Sequence, residues 1–304
     1  MLTPRNHRLG SRKTKFRVQT SHRALYRAGL GGLVAMLLLA LVLPYIPYVS
    51  DPFSPVRRVE AADTITVTTT ADTVALDGQC SLREAIVAIN TNITQNECTH
   101  DGSGGLDTIL FNILGTAPFV ITLNTELPDI IEPVNLNASA PITRLPTIVL
   151  DGENLPDQPI QSNLNANGFT LAPGSDGSTI QGFVIQDFPN DGILILSSSN
   201  HTIIGNRIGT NFAGTAAAPN RGRDDGAGIE LVGPFANNNT IGGTVDVTVG
   251  GSCTGDCNLI SGNAPVLGFV GLKLRDNANN NTVIGNYIGS DVTGTLSVPN
   301  ERIG

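Results

Sequence analysis

The residues of this chain that are best suited to chemistry are charged side chains in its second half. Asp224 and Asp225 form its only adjacent acidic pair, and glycoside hydrolases use two carboxylates that flank the bond they cleave. Lys273 and Arg275 alternate along the apolar phrase GLKLR, which places both on one side of a strand. Glu230 holds the position of Lys273 in the earlier phrase GIELV. Together these five residues form a candidate ligand face.

This candidate face has two interpretations. In the first, Lys273, Arg275 and Glu230 form a solvated, salt-bridged surface. In the second, the basic pair is a subsite for an acidic sugar, as in lyases that combine a Lys or Arg base with acidic ligands for Ca²⁺. We favour the first, because the Gly-His-Gly and Arg-x-Lys phrases of polygalacturonases do not accompany these residues. No catalytic residue and no cofactor is predicted, and Ca²⁺ is the one ion left open.

The elements that must position these side chains repeat along the sequence. Residues 200–220 and 280–300 are identical at 11 of 21 positions, at a constant offset of 80. Such self-similarity is typical of stacked repeat proteins. A shorter phrase, Thr-Ile-x-Gly-Asn or a close variant, recurs at intervals near one turn of a parallel β-helix. It aligns the residues Ile180, Ile203, Ile241, Ile260 and Val283.

The composition of these repeats predicts strands and tight turns. The phrases GILIL, GIELV and GLKLR alternate with period two, and their β-branched residues favour strands. The Gly-Asn pairs suit turns that need positive φ. We therefore predict an all-β fold, a right-handed parallel β-helix (solenoid). We expect the turn residues Asn206, Asn263 and Asn286 to form a structural ladder, and the insertions at 210–226 and 290–304 to share one loop shape and contact partners.

One helix is predicted in the exported part of the chain, within residues 80–90. Ser81 is a natural N-cap, and Glu84 stands three residues later, where it completes a capping box. An apolar stripe follows at helical spacing; it comprises Leu82, Ala85, Ile86 and Ile89. We expect this short amphipathic helix to cap the apolar end of the first coil, because an open coil exposes strand edges.

The N-terminus is predicted to be a targeting segment. Residues 1–27 contain eight Lys or Arg and no acid, and the uncharged residues 28–49 follow. Small residues then precede a signal-peptidase cut predicted after Ala61. The alternative is an uncleaved transmembrane signal-anchor, since this stretch is long enough to cross a bilayer, although Pro44 and Pro47 shorten the regular helix. In both cases this segment alone meets the membrane, and the remainder is exported.

Charge and cysteine content agree with export. Residues 62–304 contain eight basic and 24 acidic residues, which is not the balance of a nucleic-acid-binding protein. Four cysteines allow three connectivities. The local pairs Cys80–Cys98 and Cys253–Cys257 are favoured, because each closes a short loop in an oxidising compartment. The alternative of a zinc site is disfavoured, since neither spacing is Cys-x₂-Cys and the histidines form no ligand pattern.

The phrase CSLREAI, with a strand-like ITVTTTADT before it and a second cysteine after it, resembles the CSLREA domain. That resemblance implies an exported bacterial protein with right-handed parallel β-helix repeats of the pectate-lyase-like superfamily. The domains expected are residues 1–61 as signal peptide or anchor, 62–130 as the cap module and 131–304 as the repeats. The second long repeat stops at Gly304, so we expect a fragment whose further coils lie beyond it.

These observations predict a secreted or cell-surface repeat protein without catalytic activity. Its expected role is structural, adhesive or glycan-contacting, with extracellular polysaccharide or a neighbouring cell surface as partner. The alternative is a polysaccharide lyase or glycoside hydrolase of the pectate-lyase-like superfamily.

Overall fold

The computed structural model describes residues 62–102, 105–156, 166–220, 226–263 and 270–300. Within these ranges lie one helix, α1 (Leu82–Thr91), and seventeen strands. The strands are β1 (Thr64–Val67), β2 (Asp107–Phe111), β3 (Phe119–Thr122), β4 (Val134–Asn137), β5 (Ile148–Asp151), β6 (Phe169–Leu171), β7 (Thr179–Gln181), β8 (Phe183–Gln186), β9 (Ile193–Leu196), β10 (Thr202–Ile204), β11 (Arg207–Ile208), β12 (Ala227–Val232), β13 (Thr240–Gly242), β14 (Leu259–Ile260), β15 (Val270–Arg275), β16 (Thr282–Ile284) and β17 (Tyr287–Ile288).

The strands form three sheets, of seven, six and four strands, in the orders β1-β2-β4-β7-β10-β13-β16, β3-β5-β8-β11-β14-β17 and β6-β9-β12-β15. Every pairing between named strands is parallel, which confirms the predicted all-β parallel fold. From β7 onward the chain visits the seven-stranded, six-stranded and four-stranded sheets in turn and then begins again. We call each such passage a circuit.

Aligned aliphatic residues build the core along the sheets. In the seven-stranded sheet the buried position of each strand pairs with the same position of the next, and the column consists of Ile65, Ile109, Leu136, Ile180, Ile203, Ile241 and Val283. Only the last member, Val283, is exposed, at 43%. Buried residues from all three sheets join one hydrophobic cluster. The β-branched side chains suit this stacking, because they pack well on a pleated surface.

One member of the predicted alignment was wrong. Ile260 does not join the column of Ile203, but pairs with Ile208 in the six-stranded sheet. The partner of Ile241 in the next circuit is Val283. The phrase LISGN resembles TIIGN because every corner of the chain uses the same turn residues. Sequence similarity therefore does not distinguish one corner from another.

Helix α1 forms as predicted. Ser81 is the N-cap, and its hydroxyl accepts a hydrogen bond from the Glu84 amide while the Glu84 carboxylate accepts one from the Ser81 amide. The helix ends at Thr91. Its C-cap, Asn92, has left-handed backbone angles and donates its N–H to carbonyl oxygens of the last turn. The apolar stripe of the helix is buried in the main core and the helix contacts β1. The amphipathic pattern therefore packs this helix against the beginning of the sheets.

Polar ladders run along the junctions between the sheets, in three separate columns. They consist of His201, Asn239 and Asn281; of Asn206, Asn258 and Asn286; and of Asn220, Asn263 and Asn300. In the second column, the Asn258 side-chain oxygen accepts the Asn206 N–H at 3.0 Å, and the Asn258 amide donates to the Ile203 carbonyl at 2.7 Å. Each side chain thus ties one circuit to its neighbour.

The expectation of one asparagine ladder was therefore partly wrong. Asn206 and Asn286 share a column through Asn258, whereas Asn263 belongs to the next junction with Asn220 and Asn300. Asn258 and Asn263 are fully buried. Buried amides that meet main-chain groups in this way satisfy donors and acceptors that the sheet ladders leave open at the corners.

The predicted targeting segment, residues 1–61, lies outside the described residues. Among the residues that are described, no helix is long and apolar enough to cross a membrane. The boundary at 130 also stays a prediction. The sheets continue across it, because β2 pairs with β4 and β3 pairs with β5.

Candidate functional site

The structure brings together three members of the candidate ligand face on the four-stranded sheet. Glu230 of β12 lies opposite Lys273 of β15, as the repeat alignment predicts. One Glu230 carboxylate oxygen lies 3.2 Å from the Lys273 ammonium and 2.7 Å from the Arg275 guanidinium. Arg275 also contacts Asp276 at 2.6 Å. Asp224 and Asp225 lie outside the described residues.

The predicted salt bridges are present, and the carboxylate at their centre is buried. Glu230 is only 5% exposed, whereas the Arg275 side chain is 45% exposed. Glu230 is buried because it lies in the middle of β12, between β9 and β15, and all six residues of that strand are buried. Both basic side chains therefore serve a buried carboxylate, which weakens the interpretation of a free cationic subsite.

Asp191 is a member of this network that the sequence did not reveal. It precedes β9, is fully buried, and accepts the Ala227 N–H at 2.6 Å. Burial raises the pKa of Asp191 well above its ordinary value, and the nearby Glu230 carboxylate raises it further. Asp191 therefore holds its proton to a higher pH than an exposed carboxyl group does. No sequence motif identifies Asp191. The only signal was its position directly before the phrase GILIL, which aligns with the later phrases GIELV and GLKLR.

A second cluster of polar side chains, around His100, joins the start of the sheets to the loop that follows α1. The buried His100 ring contacts Asp107 at 3.0 Å through Nε2 and accepts the Gly102 N–H at Nδ1. Its Nδ1, with carboxylates of Asp63 and Asp101, forms the one grouping among the described residues that is close enough to hold a metal ion. Asp63 accepts the Asp101 N–H at 2.6 Å. The hydrogen bonds of His100 and Asp63 connect the loop after α1 to the first two strands.

His201 is a ladder residue, in agreement with its predicted role in a turn. It is 1% exposed; Nδ1 accepts the Ser178 N–H at 3.2 Å, and Nε2 lies 2.9 Å from the Ser198 hydroxyl. Burial lowers the pKa of His201 to about 4, although the nearby negative charge of Asp176 acts to raise it. Both Ser198 and His201 are closed off from solvent, so this pair has no access to a substrate.

Both predicted disulfides, Cys80–Cys98 and Cys253–Cys257, are present. The first links the start of α1 to the loop that follows it. The second belongs to a small hydrophobic cluster with Leu259, which partly buried Tyr287 and Val292 join. These bonds are compatible with an extracellular protein.

The two similar insertions have the predicted common shape over their described parts, residues 210–220 and 290–300. In each, the first and eighth residues form an antiparallel bridge, and the Asn211 or Asp291 side chain accepts amide hydrogens from the turn. The loops do not stand free. The Val292 N–H donates to the Gly214 carbonyl, and the Gly214 backbone lies against Leu259. They cover the outer face of β14.

The outer face of the seven-stranded sheet carries a feature that sequence reasoning missed. The outward residue next to each core position pairs from strand to strand. This threonine column consists of Thr64, Thr108, Asn135, Thr179, Thr202, Thr240 and Thr282. The threonine of the repeated Thr-Ile phrase was a signal for part of it. The strand β4 carries VNLN instead, and only its pairing with β2 and β7 brings Asn135 into the column.

No protein-family model matches the chain, and no curated protein matches it. The resemblance to the CSLREA domain therefore stands on its residues alone.

Proposed function

We propose that this chain is an exported, right-handed parallel β-helix that contacts extracellular glycans as a structural or adhesive surface protein. The rotation of the chain through three parallel sheets supports the β-helix architecture. The two disulfides and the acidic composition after residue 61 support a location outside the cell.

One observation carries the non-catalytic assignment. The described charged groups of the candidate face, Glu230, Lys273 and Arg275, are bound to one another around a carboxylate that is 5% exposed. A catalytic acid or base must reach the proton that it transfers. The network instead connects β12 to β15 by ion pairs, which is a structural role.

The alternative of a lyase or hydrolase has a specific observation in its favour. Burial and the nearby Glu230 carboxylate raise the pKa of Asp191, and a raised pKa is a property that acid catalysts share. Asp191 is however fully buried.

Two assays on the exported full chain separate these functions. Release of reducing ends or unsaturated products from pectin and alginate, with and without Ca²⁺, tests for an enzyme. Binding to a glycan array and to whole cells tests for the surface protein. We expect binding without turnover. Turnover that Lys273→Ala or Arg275→Ala abolishes would reject the proposal in favour of a lyase.

Export itself is tested by sequencing the N-terminus of the protein recovered outside the cytoplasm. We expect a mature chain that begins near Ala62. A full-length species in the membrane fraction would instead identify residues 1–61 as an anchor.

A further inference from the structure

The chain covers the outer face of the middle strands in two sheets and leaves the third sheet more open. On the six-stranded sheet, outward Val149 and Val184 are at most 3% exposed. On the four-stranded sheet, outward Thr170 and Leu194 are 8% exposed. By contrast, every member of the threonine column is half-buried or exposed. The seven-stranded sheet therefore presents an accessible face along its whole length.

The hydroxyl groups of this column have unused hydrogen-bonding capacity. Within the described residues, those of Thr179, Thr202, Thr240 and Thr282 have no hydrogen-bond partner in the protein, and none is a buried unsatisfied atom. Each hydroxyl can donate one hydrogen bond and accept others. The parallel strands hold these groups at intervals of about 4.8 Å, so seven strands span about 29 Å.

The two outward columns of this sheet carry no charge. The threonine column has none, and the next outward position of the same strands holds Thr66, Leu110, Asn137, Gln181, Ile204, Gly242 and Ile284. The exported part of the chain is strongly acidic elsewhere. An anionic ligand would find no cation in either column, whereas a neutral ligand with hydroxyl groups and C–H surfaces is complementary to the threonine hydroxyls and methyl groups.

The regularity of the face is one-dimensional. Hydroxyl groups repeat along the threonine column, but the neighbouring outward column mixes amide, aliphatic and glycine positions. A ligand with a two-dimensional lattice, such as an ice surface, would need a second regular row. A single extended polymer needs only one.

We propose that the threonine column binds one extended chain of a neutral polysaccharide, which lies across the strands and along the column. This inference rests on the proposed glycan-contacting function and assigns its face and ligand class. Many weak contacts along one rigid row add up as linked binding units do. Affinity should therefore rise with ligand length until the oligomer reaches the length of the sheet.

The test uses the exported full chain and an array of linear glucans, xylans and mannans of increasing length, beside polygalacturonate and alginate. We expect the neutral polymers to bind and the double variant Thr202→Val/Thr240→Val to bind at least tenfold more weakly. Thr202→Ser/Thr240→Ser, which keeps both hydroxyls, should retain most of the affinity. Thr122→Val, a half-buried outward threonine on the six-stranded sheet, is the matched control. Valine keeps the β-branched shape, and unchanged thermal unfolding would verify the fold of each variant.

The possible failures are distinguishable. Binding that survives both valine substitutions but is lost in Lys273→Ala/Arg275→Ala would keep the proposed function and overturn this inference. A preference for the acidic polymers would also overturn it. Binding to no glycan would remove both. Inhibition of ice growth that the valine variant loses would replace the polysaccharide with a lattice ligand.

Discussion

The pair of Asp191 and Glu230 makes the stability of this protein depend on pH. The folded protein holds the Asp191 proton more tightly than the unfolded chain, because burial and Glu230 raise its pKa. Its contribution to stability is therefore complete below the ordinary value of 3.8 and is lost as pH rises through the raised value. We expect Asp191→Asn, which still accepts the Ala227 N–H, to raise the denaturation midpoint at pH 7 and leave it unchanged at pH 3.

Asp176→Asn is the control of opposite sign. Burial acts to raise the pKa of Asp176, but hydrogen bonds from Ser199 hold it below its ordinary value. This variant should lower the midpoint at pH 7. Equal midpoints for the wild type and Asp191→Asn across the range would show that the pKa of Asp191 is not raised in the folded protein.

His201 predicts a second pH effect, in acid. Its pKa is lowered from 6.5 to about 4, so its contribution to stability is complete above pH 6.5 and is lost as pH falls towards 4. The same ladder position holds Asn239 and Asn281 in the later circuits. We expect His201→Asn to flatten the loss of stability between pH 6.5 and 4, measured by urea unfolding. A slope unchanged from the wild type would contradict the burial of a neutral imidazole.

At the scale of elements, α1 should stabilise the beginning of the sheets. Ile86 is 2% exposed and belongs to the main core, whereas Val87 on the same helix is half-buried. We expect Ile86→Asp to cost several kcal/mol, about 4, because it buries an unpaired charge. Val87→Asp should cost about 1 kcal/mol or less. A soluble Ile86→Asp variant of normal stability in chemical denaturation would show that α1 does not cap the core.

The corner ladders should contribute as strongly as the core. Asn258 accepts hydrogen bonds from Asn206 and donates to the Ile203 carbonyl and to Asn286. We expect Asn258→Ala to cost about 2–4 kcal/mol, because it leaves buried main-chain groups without partners. Asn112→Ala, at an exposed position, should change stability by less than about 0.5 kcal/mol. Comparable losses in the two variants would mean that the ladder is not a major stabilising element.

At the scale of the whole molecule, the two disulfides should stabilise the fold unequally. Cys80–Cys98 spans 18 residues and Cys253–Cys257 spans four. The loop-entropy model predicts losses of about 3 and about 2 kcal/mol when each pair is replaced by alanine. Denaturant unfolding of both double variants measures this order. Free thiols or a cross-pair in non-reducing peptide mapping of the exported protein would contradict the pairing itself.

The sequence by itself determined the local features of this protein. The capping box of Ser81 and Glu84 and the strands at the Thr-Ile phrases follow from short-range spacing. The facing of Glu230 and Lys273 follows from the alignment of the phrase GIELV with GLKLR. The disulfide pairs could also be predicted from the sequence, because each closes a short local loop.

Only the tertiary structure decided which corner each phrase occupies and which groups meet across circuits. The sequence alignment misplaced Ile260, which pairs with Ile208, because all three junctions use similar turn residues. The turn residues alone therefore do not show which junction a phrase occupies. Asp191 approaches Glu230 across a sequence separation that includes a long insertion. The threonine column is likewise formed by residues that meet only through the pairing of strands that are distant in the sequence. β1 and β2 carry the same Thr-Ile dipeptide as the later strands, but β4 reads VNLN, and only the register of the parallel strands brings Asn135 into the column.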